Sequence, residues 1–218
     1  VADIRIVSAR EKFDYLAPTY DDAAEYYMQW DGEAMMDMLG TVSGKHILDV
    51  GCGTGRLIAR LERSGADTIG IDISERMVEK AKSKSLLVFQ SDINEFIWNE
   101  QFDVIVSVLT FNYIKDKKRA LQNIWYLMKL GGLFTLCSDL EKSDVPVKMG
   151  EELVASEYFP LSKDGYWRLL VEMGFDIKDS VDLFTSESER GVLQPYEIIG
   201  FIVKAQKTHE MPEDELRA

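Results

Sequence analysis

The chain has 218 residues, of which 46% are apolar and 29% charged, and a formal net charge of −13 at pH 7. That size suits one domain with an ordinary hydrophobic core, and the acidity argues against long nucleic acids as substrates, because most of the surface repels phosphate backbones. No apolar run reaches the roughly 18 residues of a membrane span, the opening residues lack the apolar core of a signal peptide, and the cysteines, Cys52 and Cys137, form no CxxC pair for a metal site or disulfide framework. A cytoplasmic protein, monomer or homodimer, with no metal, nucleic acid or membrane partner is expected.

In chain order, residues 1–43 read as an N-terminal helical segment that Pro18 breaks in two. Tyr20, Tyr26, Tyr27, Trp30, Met35, Met36 and Met38 load it with adaptable apolar groups. It either packs a face on the sheet or closes over a ligand as a lid, and the two do not exclude each other. From residue 44 to 207 a core alternates strand and helix. Strands are expected at 45–50, 68–71, 86–90, 102–108 and 133–138, with helices at 56–64, 74–83 and 116–129 between them. Ser74 and Asp116 read as N-caps, and Gly131-Gly132 as the stop before the fifth strand. Val, Ile and Leu on both faces of these strands imply a parallel sheet covered by helices. Residues 139–162 form an insertion too long for a plain turn, so it is assigned a functional or partner-binding role. A helix at 163–173 follows. The last strands, 175–184 and 198–205, are joined without room for a full crossover helix and are expected to pair antiparallel. Residues 208–218 read as a flexible tail.

The stretch "HILDVGCGTGRLIARL" carries the chemistry. An apolar run, then glycines at every second position, then an amphipathic pattern reads as strand, tight turn and helix. Glycines let the backbone turn sharply and approach a ligand, and the crevice at the strand carboxyl ends is the usual ligand site of an open α/β sheet. Gly51, Gly53 and Gly55 are therefore expected to floor a nucleoside-like ligand. A dinucleotide fingerprint would place the third glycine one residue later, where Arg56 stands. Asp49 discriminates further: a carboxylate so near the turn suits a cationic ligand better than a pyrophosphate. Both features disfavour a nicotinamide dehydrogenase. Asp72, after the second strand, suits a ribose diol. Asp92 with Ile93, after the third, suits an adenine ring. A positively charged amino-acid head, a ribose and an adenine together describe S-adenosylmethionine.

The segments "ILDVGCGTG", "GIDIS", "SDI", "FDVIVSVLTFNYI" and "LMKLGGLF", between about residues 44 and 138, resemble the ordered motif set of class I S-adenosylmethionine-dependent methyltransferases. "FDYLAPTYDD" resembles the opening segment of the branch that includes the ubiquinone/menaquinone-biosynthesis C-methyltransferases and many small-molecule enzymes. The resemblance implies an α/β, Rossmann-like, seven-stranded, mostly parallel sheet of order 3-2-1-4-5-7-6, with strand seven antiparallel and helices on both faces. It implies that Asp49, Gly51, Cys52 and Gly53 meet the methionine end of the cofactor, with Gly55 supporting the turn. By the same resemblance Asp72 holds the ribose, Ile73 and Met77 pack near the adenine, and Asp92 and Ile93 bracket it. Val108 and Leu109 would lie near the sulfonium, and Tyr15 and Tyr20 would close over the cofactor.

The acceptor side is less explicit. His46 begins the first strand, away from the active mouth, and His209 lies in the tail, so neither is expected to be catalytic. Where many relatives place a His after strand four, this chain has Asn112 and Tyr113. Tyr113 either positions the acceptor and assists a proton transfer or packs in the core. The stretch lacks the prolines of enzymes that methylate amino groups of nucleic-acid bases, and Cys137 reads as core. Asp139, Glu141, Glu151, Glu152, Tyr158 and Phe159 of the insertion, with Tyr26, Tyr27 and Trp30, form an aromatic and acidic set suited to a small-molecule acceptor, a cationic amine among them. A protein methyltransferase drawn to a basic segment, and a catalytically silent cofactor-binding module, are the alternatives.

Overall fold

The computed structural model of the protein describes residues 3–23, 30, 32–84, 86–140, 143–184 and 198–210. The N-terminal part comprises β1 (Ile4–Val7), α1 (Ala9–Leu16), a 3-10 turn (Ala17–Ala23) and α2 (Glu33–Leu39). Then come β2 (His46–Val50), α3 (Arg56–Arg63), β3 (Asp67–Asp72), α4 (Glu75–Ser83), β4 (Val88–Gln90) and β5 (Phe102–Val108). A short 3-10 turn (Phe111–Tyr113), α5 (Lys117–Leu127), β6 (Met128–Asp139), β7 (Val147–Met149), β8 (Glu152–Ser156), α6 (Lys163–Glu172), β9 (Asp176–Phe184) and β10 (Ile198–Gln206) complete the chain.

Among the described residues, seven strands form one sheet of order β4-β3-β2-β5-β6-β10-β9. Counted along the chain within that sheet, this is the expected order 3-2-1-4-5-7-6. The first five strands run parallel, and β10 runs antiparallel to both of its neighbours. Side chains alternate between the faces of a strand, and here that alternation divides the core. Leu48, Ile105, Leu136 and Phe201 point into a cluster covered by Leu121, Ile124 and Trp125 of α5 and Tyr166 and Leu170 of α6. Their neighbours Ile47, Val106, Cys137 and Ile202 point into a second cluster with Met35 and Met38 of α2 and Leu57 and Leu61 of α3. The expected caps are in place: Ser74 Oγ accepts from Met77 N at 3.1 Å and Asp116 Oδ1 from Arg119 N at 3.1 Å.

The N-terminal segment departs from the helical expectation. Residues 4–7 form a strand parallel to β8, with Ile4 opposite Leu153, and β8 pairs antiparallel with β7. A second, three-stranded sheet, β1-β8-β7, thus joins the chain's beginning to the 139–162 insertion. The alternating "IRIV" is compatible with a strand, but its partner lies some 150 positions away, so no local signal announces the pairing. The boundary between α5 and β6 also moves, from the expected 129 to Leu127. Residues 208–210, read as part of a flexible tail, make contacts: Lys207 Nζ pairs with Glu210 Oε2 at 2.7 Å, and the His209 ring packs edge-on to Trp125 at 5.2 Å. Residues 211–218 lie outside the described residues, as does the 185–197 connection.

A buried ion pair locks the small sheet to α1. Lys12 Nζ lies 2.6 Å from both carboxylate oxygens of Asp144 and donates to Val145 O at 2.8 Å. Ser156 of β8 gives Asp144 Oδ2 its backbone N–H at 2.6 Å and its hydroxyl at 3.0 Å. Lys12 and Asp144 are 3% and 6% exposed, so removing one partner strands a charge out of water. Lys12→Met is expected to lower the unfolding free energy by about 3–5 kcal/mol in urea titration. Adding Asp144→Asn, which keeps the hydrogen-bond acceptor but removes the charge, is expected to recover at least half of that loss.

Candidate active site

The turn after β2 is built by its own backbone. Gly51 N and Cys52 N both donate to Ile71 O of β3, at 2.8 and 3.0 Å. Gly51 has φ +75°, and a Cβ there would lie 2.0 Å from Thr110 Oγ1. Gly55, the N-cap of α3, has φ +80°, and its Cβ would lie 2.2 Å from Leu86 Cδ1. Both the left-handed backbone and the close approach demand glycine. Asp72, at the tip of β3, fixes the next element. Its Oδ2 accepts from Gly53 N at 2.8 Å and its Oδ1 from Ser74 N at 2.8 Å. One carboxylate therefore ties the glycine turn to the start of α4. Burial lifts its pKa to about 6, against the pull of those bonds from Ser74 and Gly53, and the charge of Asp14 adds to the rise.

These strand ends open into a cavity of about 370 Å³, within the range of roughly 300–1,000 Å³ usual for small-molecule sites. Its walls include the expected Tyr20, Gly51, Gly53, Asp72, Ile73, Met77, Asp92, Ile93, Val108, Leu109 and Tyr113. Asp92 is held by an Asx turn, its Oδ1 accepting from Asn94 N at 2.9 Å. Asp49 and Cys52 line an adjoining recess of about 40 Å³, which shares Tyr20, Gly51, Gly53, Val108 and Leu109 with the larger cavity. Asp49 is 3% exposed. The three aspartates thus face two connected spaces on one side of the molecule. Burial, then the charges of Asp49 and Asp72, push the Cys52 thiol up, so it stays protonated and makes no nucleophile. Leu109 has φ +56°, the one non-glycine with positive φ among the described residues. Such a conformation costs about 1–3 kcal/mol and concentrates at functional sites.

Three expected residues stand elsewhere. Gly55 supports the turn by packing on Leu86 and lines neither space. Tyr15 is 44% exposed, its hydroxyl accepting from Gly150 N at 3.4 Å; it points along α1 toward β7 rather than into the cleft. Asn112 is 1% exposed and sits behind the wall. Its Nδ2 donates to Asp139 Oδ1 at 3.0 Å and to the Tyr158 hydroxyl at 2.8 Å, while its Oδ1 accepts from the Tyr166 hydroxyl at 2.6 Å. Asn112 thus orients lining groups without meeting the cavity.

Tyr113 does line the cavity, and its hydroxyl donates to Asp144 Oδ1 at 2.9 Å. Burial first, then the Asp144 charge, push its pKa far up. Tyr158 donates to Asp139 Oδ1 at 2.6 Å, and burial followed by that bond raises it likewise. Both tyrosines hold their protons. Of the other insertion candidates, Asp139 lines the cavity, Glu152 pairs with Arg5 on the exposed small sheet at 2.9 Å, Glu151 is exposed, and Phe159 is held beside Asn112 O through its backbone N–H at 2.6 Å. Trp30 lines the recess. Tyr26, Tyr27 and Glu141 lie outside the described residues. His46 begins β2, at the end opposite the cavity, its ring against Phe102 at 4.4 Å.

Sequence reading missed Lys12, Phe13 and Leu16 of α1, Thr110, and Asp144, all of which line the cavity. The α1 trio was legible, because Ser8 is a good N-cap and positions 12, 13 and 16 share one helical face. Nothing local distinguishes Asp144. Among the described residues no group of three or more His, Cys, Asp or Glu is disposed to hold a metal, and no helix is long and apolar enough to cross a membrane.

Because the folded-state pKa of Asp72 exceeds the ordinary carboxylate value, protonation favours the folded state. Its contribution is full below the unfolded pKa and is lost as pH rises through about 6. Wild type is expected to gain stability relative to Asp72→Asn as pH falls from 7.5 to 5, measured by urea titration of both proteins. A gap independent of pH would contradict the assignment.

Residues 41–168, more than half of the chain, match the family described as the methyltransferase domain. The chain is 33% identical over 99 residues to ubiquinone biosynthesis O-methyltransferase of Coxiella burnetii, covering 42% of each chain. It is 30% identical over 131 residues to malonyl-[acyl-carrier protein] O-methyltransferase 1 of Ilyobacter polytropus, covering 56% of this chain and 48% of that one. It spans less than half the length of either relative. Among solved structures, an S-adenosylmethionine-dependent methyltransferase from Mesorhizobium loti superposes with a TM-score of 0.65 at 18% identity, covering 81% of this chain and 97% of that one. Family match, glycine turn and sheet order agree, and the chain belongs to the methyltransferase domain family.

Proposed function

We propose that the protein transfers a methyl group from S-adenosylmethionine to a small-molecule acceptor, acting in the cytoplasm. The observation that carries this reading is the convergence of the glycine turn, Asp72 and Asp92 on one cavity, with Asp49 in the recess beside it. The residues fit the cofactor. Gly51 and Gly53 present bare backbone. Asp72 is already oriented by two N–H donors, and its remaining acceptor capacity suits the two ribose hydroxyls. Ile73, Met77 and Ile93 supply apolar walls for the adenine. Asp49 suits the cationic amino-acid end, since a carboxylate is stabilised by an opposite charge. When bound, the cofactor supplies an electrophilic methyl group on a sulfonium.

The remaining work falls to the chain's own groups. α1 and the turn after it act as the lid, spanning the cleft with Phe13, Leu16 and Tyr20 and excluding water. Orientation of the acceptor supplies much of the rate, since well-aligned reactants gain on the order of 7–11 kcal/mol. Tyr113 and Tyr158 position rather than abstract protons, because each already donates to a carboxylate. The aromatic lining of Phe13, Tyr20, Tyr113 and Tyr158 favours a small molecule over a protein segment.

Calorimetric titration with S-adenosylhomocysteine is expected to show stoichiometric binding, with no heat from NAD. Asp72→Ala is expected to weaken that binding by about 1.5–3 kcal/mol, the range for hydrogen bonds to a charged group. Binding of NAD alone, or an unchanged dissociation constant in the variant, would contradict the assignment.

A further inference from the structure

The donors around the recess are mostly spent inside the protein. Gly51 N and Cys52 N give their protons to Ile71 O, and Gly55 N gives its own to Cys52 O. Gly53 N donates to Asp72 Oδ2, and the Thr54 hydroxyl to Asp21 Oδ1. Tyr20 and Arg56, which also line the recess, are engaged in interactions of their own. Trp30 differs. It is 3% exposed and lines the recess, yet its Nε1–H has no hydrogen-bond partner among the described residues. A buried donor left unpaired is costly, and such orphans are few in folded proteins. Of the five such side-chain atoms among the described residues, this one alone belongs to a residue that lines the cavity or the recess.

β10 sets the direction of the indole. A Cβ on Gly200 would lie 2.3 Å from Trp30 Cζ3 and 3.0 Å from its Cη2, so only glycine leaves the ring its place. Cζ3 stands across the six-membered ring from Cε2, the carbon bonded to Nε1. With that edge set against β10, the N–H edge turns the other way. In the sheet, β10 lies beyond β6 and β5 from β2. Away from β10 is therefore toward the ends of β2 and β5, where Asp49, Gly51, Val108 and Leu109 line the recess.

An indole N–H donates and does not accept, so the group that satisfies it brings an acceptor oxygen. At about 40 Å³ the recess takes a small group and not a ring system. We infer that Trp30 holds the carboxylate of the cofactor's amino-acid end, next to the Asp49 carboxylate that faces its ammonium. This rests on the methyl-transfer reading above. An ionised acceptor makes the bond stronger than a neutral one would. The N-terminal segment then reads the ligand as well as covering it, because a ligand without the carboxylate leaves the indole unpaired.

Calorimetry on the full chain tests this by comparing S-adenosylhomocysteine with its decarboxylated analogue, which keeps the nucleoside, the thioether and the amine. Wild type is expected to bind the former about tenfold more tightly or better, the scale of a hydrogen bond to a charged group. Trp30→Phe is expected to weaken S-adenosylhomocysteine by that factor and to leave the analogue within about twofold, since only the first ligand loses a partner. NMR of the wild type gives a readout that does not depend on the folding of a variant. One of the four indole N–H signals, assigned to Trp30 through its ring's contact with Gly200, is expected to move downfield with S-adenosylhomocysteine and not with the analogue. The inference is overturned if wild type binds both ligands alike, or if Trp30→Phe weakens both equally or neither. It is also overturned if the Trp30 signal stays in place or responds alike to both. Absence of S-adenosylhomocysteine binding to wild type removes the methyl-transfer reading and this inference together; its binding without discrimination against the analogue removes this inference alone.

Discussion

One carboxylate organises the cleft. Asp72 takes the Gly53 N–H on one oxygen and the Ser74 N–H on the other, so the turn after β2 and the helix after β3 share a single anchor. The geometry is affordable only because those strands are parallel neighbours in register, with Asp49 opposite Gly70 and Val50 opposite Ile71. A carboxylate held in this way is pre-oriented before any ligand arrives, and it is its burial, working against those two bonds, that raises its pKa. Burying a carboxylate costs less when further hydrogen-bond donors reach it.

The N-terminal segment is fastened to that anchor on one side and to the insertion on the other. Asp14 of α1 accepts from the Ser74 hydroxyl at 2.6 Å and from Arg76 N at 3.1 Å, so α1 caps the same helix that Asp72 begins. Lys80 of α4 holds Pro18 O at 2.6 Å, and Lys84 joins Asp21 to Thr54 O at the glycine turn. On the far side, Lys12 reaches Asp144. The segment proposed as a lid is therefore pinned by polar contacts at both edges, while its apolar residues face the cavity between them. Exposed pairs among these contacts contribute little individually; the buried Lys12–Asp144 pair fixes position more than it adds stability.

The sheet order and the gathering of the glycine turn and the strand-tip acids at one cleft were legible because their signals are local. A strand, a glycine turn and an acid at a strand tip are each written within a few residues, and parallel strands on a covered sheet leave few topologies. The side of the cleft toward the 139–162 insertion was legible only in part. Tyr113 and Asp139 follow strands and so could be placed. Asn112 was placed one layer too far forward, because sequence gives the turn but not which way its side chain points. The β1–β8 pairing and the Lys12–Asp144 pair join residues more than 130 positions apart, and neither half carries a pattern that names the other. Tyr15 and Tyr20 look alike in sequence; the helical turn between them sends one toward β7 and the other over Gly53, 3.8 Å from where a Cβ would stand.

The most direct check on this account is a crystal structure of the protein grown with S-adenosylhomocysteine. The account predicts ribose hydroxyls on the Asp72 carboxylate, the adenine between Ile73 and Ile93 near Asp92, and the amino-acid end in the recess beside Asp49. Density for the ligand outside this cavity, or a ribose directed away from Asp72, would contradict it.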